Sequence, residues 1–120
     1  MIRLHLSAAD TRRIRFASSA LWEAVTSVRT LTDTSRRRHL HQPWRDRVRG
    51  RLGGVDMALL TAVIRPAGYL PDFLVPVPAR RNLAFHTALT DVAAADPAQV
   101  TSELMHLAGH PVAQRGPGRD

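Results

Sequence analysis

The chain has 120 residues, enough for one domain and too few for two, with 44% hydrophobic residues, 22% charged residues and a formal net charge of +7. That composition is globular, neither membrane-spanning nor wholly disordered. There is no cysteine and every one of the seventeen basic residues is arginine, which excludes disulfides, thiolate metal sites, a cysteine nucleophile, a Schiff-base lysine and a Walker A loop.

Ile2, Leu4 and Leu6 alternate with Arg3 and His5, which is the period of a strand with one buried face, so a strand is expected over 2–6. A lone strand leaves its backbone unsatisfied, so its partner must lie further along this chain or on another. Ser7 is placed to cap a helix, with Asp10 in the first turn where an acid is favoured. Ser18-Ser19 opens a second helix over about 19–31. Its Leu21, Ala24, Val25, Val28 and Leu31 share one face, and Trp22 lies off that stripe as a cover for the core edge.

Between Arg36 and Arg51 stand seven arginines (Arg36, Arg37, Arg38, Arg45, Arg47, Arg49, Arg51) against one acid, Asp46. That segment carries nearly all of the net charge and is the candidate nucleic-acid surface, because phosphate neutralisation drives non-specific binding. The competing reading is a solvated face in a chain whose arginine-only usage reflects coding bias. Pro43 suits the first turn of a helix over 43–52, ended by Gly53-Gly54 and striped by Trp44, Val48 and Leu52. At about 100° per residue, Arg45 and Arg49 fall on one flank of that stripe and Arg47 and Arg51 on the other. They bracket the buried edge as snorkelling stems do, although two such rows also suit phosphates on both sides of a groove.

Asp56 caps a short apolar helix from Met57 to Ile64, expected to be the most buried of all. Residues 66–78 hold four prolines (Pro66, Pro71, Pro76, Pro78) and so are not helical, yet they are apolar. A strap packed on the helices is expected, in preference to an arm that docks on a partner; Tyr69, Leu70, Phe73 and Leu74 are the docking candidates. Phe73–Val75 is the expected partner for the strand 2–6, at a sheet edge because of Pro76. Asn82 starts a helix over about 83–94, striped by Phe85, Leu89 and Val92. Asp96-Pro97-Ala98-Gln99 is a helix start, followed by Val100, Leu104 and Leu107 and ended by Gly109. Residues 109–120 read as a disordered tail. The expected fold is mainly α: a small helical domain over 1–108, of about five or six helices, with one or two short β-strands (2–6, with 73–75 as its candidate partner).

Catalytic chemistry finds no motif. His39 and His41 are spaced for a strand face and sit among arginines that repel a cation, so no metal site is expected, and no cofactor. The two glutamates, Glu23 and Glu103, fall on exposed helix faces, and the aspartates read mostly as caps and turns; Asp72, flanked by apolar residues, is expected to be partly buried in a turn. There is neither a G-x-S-x-G elbow nor a G-x-G-x-x-G loop, and an enzyme is not expected. No run of eighteen apolar residues and no secretory signal is present, so no membrane partner is expected and the expected location is cytoplasmic.

Four segments nonetheless form an ordered set: Ile2-Arg3-Leu4-His5-Leu6-Ser7-Ala8-Ala9-Asp10; Phe16 followed by Leu21-Trp22-Glu23-Ala24; His41-Gln42-Pro43-Trp44; and Gly68-Tyr69-Leu70-Pro71-Asp72-Phe73-Leu74. In order and spacing the set, which covers about residues 1–108, resembles the N-terminal region of actinobacterial ArsR-like winged-helix transcriptional regulators. The resemblance implies a helical module that does not itself read DNA and contributes dimerisation or effector sensing. It also implies a chain that stops before the winged helix, a truncated family member whose DNA contacts belong to the missing head. The family's DNA-reading positions and metal-sensing cysteines have no counterpart here. The partners expected are a second copy of the chain, and DNA only through that missing head or weakly through the basic segment.

Overall fold

The computed structural model describes residues 1–110; the tail expected over 109–120 lies outside these from residue 111 onward. The order of elements is α1 (Ala8–Arg13), β1 (Ser18–Ser19), α2 (Ala20–Thr32), α3 (Gln42–Arg49), α4 (Met57–Val63), β2 (Asn82–Leu83), α5 (Phe85–Ala93) and α6 (Pro97–Gly109). Two 3-10 turns, Arg36–His41 and Asp72–Leu74, complete it. The mainly helical class with few strands is as the sequence indicates.

Helix starts follow local chemistry. Ser7 and Asp10 form a reciprocal capping box, Ser19 accepts from the Trp22 amide, Asp56 from Leu59, and Asp96 from Ala98 with Pro97 in the first turn. The core forms where α2 packs on α4 and α5. Leu21, Val25, Val28, Ile64 and Ala88 are its buried centre, and Met57, Leu60, Leu70, Leu74, Val75, Leu83 and Val92 close round it.

The strands are not where alternation placed them. Residues 2–6 form no strand, and Ile2, Leu4 and Leu6 are 90%, 84% and 67% exposed, because no sheet edge lies alongside to take their backbone. Residues 73–75 form no strand either. Their amides are already satisfied: Phe73 N–H by the Glu103 carboxylate, Leu74 N–H by the Pro71 carbonyl and Val75 N–H by the Asp72 carbonyl. The sheet is instead a two-residue parallel ladder, Ser18 opposite Asn82 and Ser19 opposite Leu83.

Three helices also depart from expectation. Helix α3 ends at Arg49 with Gly50 as its cap, short of Gly53-Gly54. Helix α4 is not the most buried: none of its own residues is buried, Leu59 is 63% exposed, and only Ile64 just past its end is deep. Two turns of helix touching α2 along one line cannot bury an apolar surface that runs nearly all round. Helix α5 turns Ala88 and Val92 inward and leaves Phe85 and Leu89 nearly half exposed, since a small side chain lets α2 approach closely.

Candidate functional site

The basic segment splits in two. Its first part, Arg36–His41, is a 3-10 turn whose start is tied by Ser35 and Asp33: Ser35 Oγ accepts from the Arg37 amide, and the Asp33 carboxylate accepts from the Ser35 amide at 2.7 Å and from its hydroxyl at 3.0 Å. These bonds, the backbone one foremost, hold the Asp33 carboxyl below the ordinary aspartate range. The turn packs against α3. Arg36, Arg37, Arg38, Arg47, Arg49 and Arg51 are all exposed, three on the turn, two on α3 and Arg51 just past its end. The Arg49 guanidinium lies 3.9 Å from the Asp46 carboxylate in an exposed pair, which contributes little.

Arg45 is not exposed with them: a candidate through the charge of the segment, it lies at the edge of the buried stripe, where the helical angles put it. It is 4% exposed and donates from its terminal nitrogen to the Asp33 carbonyl at 3.0 Å, closing the end of α2 onto α3. Its Nε is buried with no hydrogen-bond partner among the described residues. The segment between α2 and α3 doubles back over this side chain, a tertiary event that helical periodicity does not contain.

The proline-rich stretch is a strap on its own chain. Pro71 is fully buried, and Leu70 and Leu74 lie on the core. Tyr69 and Phe73 are half-buried, so none of the four docking candidates stands clear as an arm. Gly68 opens the strap at φ +82°, a conformation that favours glycine, and its carbonyl accepts from Arg29 of α2 at 2.8 Å. Glu103, expected on an exposed face, is half-buried and accepts the Phe73 N–H at 2.9 Å. Asp72, expected to be partly buried, is exposed instead, because the turn is closed by its backbone carbonyl.

Sequence reading missed an aromatic cluster. The Tyr69 ring meets His106 edge-on at 4.5 Å between centroids, and His106 lies 4.2 Å from His110. Their spacing of four residues on α6 was the available signal, since it puts both rings on one helix face. His110 Nδ1 is bonded to the His106 carbonyl, and Arg65 donates to the His110 carbonyl. Partial desolvation, then the charges of Glu103 and Asp72, push the Tyr69 hydroxyl above its ordinary value. Among the described residues no three His, Asp or Glu side chains cluster as metal ligands.

A surface cavity of about 710 Å³ opens between the start of α2 and the end of the strap, walled by Trp22, Glu23, Val75, Pro76, Val77 and Pro78. Trp22 is 48% and Val77 91% exposed, and the lining is mostly apolar, with Ser18, Ser19 and Glu23 as its polar members. Among the described residues no helix is long and apolar enough to cross a membrane.

No protein-family model, curated protein or solved structure matches the chain.

Proposed function

We propose that this chain is the N-terminal module of an ArsR-like winged-helix transcriptional regulator, a part that does not read DNA and serves self-association or effector sensing. The observation that carries the reading is the ordered motif set, whose residues take specific structural parts. Ser7 and Asp10 build a capping box, Leu21 lies in the core, Pro43 starts α3, Gly68 adopts its positive φ and Pro71 is fully buried. The absence of a groove-inserting head among the described residues supports a non-reading role: the only strands there are two residues long and parallel, so no β-hairpin wing is formed. Light scattering on the purified chain, with a thermal-shift screen of small apolar molecules, tests the reading. A dimeric mass or a raised melting temperature is expected; a strictly monomeric chain that no ligand stabilises overturns it.

A second reading is favoured by one observation, the six exposed arginines within residues 36–51. In it the chain holds nucleic acid non-specifically, Arg36, Arg37 and Arg38 contacting phosphates beside Arg47, Arg49 and Arg51. Duplex DNA affinity then falls steeply with salt, and replacing Arg36–Arg38 by alanine flattens that slope by about three contacts. No binding at low salt ends it.

A further inference from the structure

The large apolar side chains of the first sixteen residues have nothing to pack on. Met1, Ile2, Leu4, Leu6 and Phe16 are between 67% and 105% exposed, and Ile14 is 47% exposed. Helix α1 buries none of its residues and has six in all, far fewer than an isolated helix needs to persist in water.

The same chain holds the complementary surface. The Trp22–Val77 groove is mostly apolar, empty of the chain's own arm, and Glu23 is the only ionisable residue in its wall. The segment 1–6 carries the opposite charge, Arg3 with no acid. Its alternating Ile2, Leu4 and Leu6 present one apolar face when extended, the shape that fits a shallow groove beside a short ladder.

We propose that the N-terminal arm, residues 1–6, seats in the Trp22–Val77 groove of a second copy of this chain, so that two chains exchange arms across a two-fold axis. Closed reciprocal exchange satisfies both grooves and stops at two copies. Leu4 and Leu6 face the Trp22 ring and the strap prolines, and Arg3, on the outer face of the extended arm, gives the seated segment the charge opposite to that of Glu23. The inference rests on the self-association half of the reading above and needs nothing from effector sensing.

Light scattering on the full chain comes first, with a dimeric mass expected. Leu4→Glu with Leu6→Glu in the arm, and separately Val77→Glu in the groove, weaken the dimer at least tenfold. All three positions are exposed, so the fold is kept, and circular dichroism checks this. The chain has no cysteine, so Leu4→Cys and Val77→Cys single variants are then mixed, one carrying a tag, and oxidised. A disulfide joining tagged to untagged chain is expected. A dimer that survives all three substitutions overturns arm exchange while leaving self-association standing. A wild-type monomer overturns arm exchange and leaves effector sensing to the thermal-shift screen. A Leu4→Cys, Val77→Cys double variant that closes within one chain shows the arm folding back and overturns the exchange, as does a monomer whose arm instead binds vesicles of anionic phospholipid.

Discussion

The Glu103 carboxylate of α6 accepts the backbone N–H of Phe73, thirty residues earlier, at 2.9 Å, and this bond fastens the strap to the last helix. Its other oxygen accepts from Gln99 at 2.8 Å, one turn back along α6, so the carboxylate is held from two sides. A charged acceptor on a half-buried amide is among the stronger hydrogen bonds a protein makes.

Glu103→Ala strands the Phe73 amide and costs about 1–3 kcal/mol. The loss is expected to be local first: amide exchange at Phe73, Leu74 and Val75 speeds up before that of Val25 and Val28 in α2. Exchange followed by NMR checks it, and equal acceleration throughout contradicts a strap held by this carboxylate.

Arg45 closes α2 onto α3, whereas Arg47, two residues on, is exposed. Arg45→Ala leaves the Asp33 carbonyl without its donor and opens a gap where the stem lay, a loss of about 2 kcal/mol. Arg47→Ala changes stability by less than about 0.5 kcal/mol. Urea unfolding of the two variants separates them, and equal midpoints contradict the burial of Arg45.

Gly68 stands at φ +82°, and a Cβ there meets nothing within 4 Å. The cost of Gly68→Ala is therefore conformational alone, about 1–2 kcal/mol. Gly54 has equal room and no positive φ, so Gly54→Ala is expected to be neutral or slightly stabilising. Melting temperatures of the two variants supply the comparison.

The Asp10 carboxyl is held below its ordinary value, chiefly by the Ser7 hydroxyl and then by the Ser7 amide. A carboxyl depressed in this way stabilises its structure above its unfolded value, and the contribution disappears as pH falls through the folded value. Helix α1 is thus expected to fray on acidification below the aspartate range. The Ser7 and Asp10 amide shifts report this, and Asp10→Asn abolishes the pH dependence.

The features written in local sequence came through. Ser7, Ser19, Asp56 and Asp96 each start the helix expected of them, since a cap needs only a side chain and an amide two or three residues on. The face of α2 was equally legible, because Leu21, Val25 and Val28 repeat at helical spacing over about two turns. The basic segment was legible as composition, but not Arg45's departure from it. The strap was legible from its prolines and apolar residues, yet its anchoring by Glu103 and Arg29 joins residues too far apart for any pattern to link. The spacing of four puts His106 and His110 on one face of α6, but their contact with Tyr69 joins residues too distant for a local pattern.

Caps, helix lengths and the inward stripe of α2 were determined by the sequence itself, through interactions that span one turn. Tertiary structure decided where the strands lie, which side of α5 is buried and that one arginine of seven sits inside the core's edge. Alternation in 2–6 states only that a strand would have an apolar face, and it became none because the ladder formed between residues 18–19 and 82–83 instead. Pairing between distant segments depends on which backbone groups are still unsatisfied once the helices have packed.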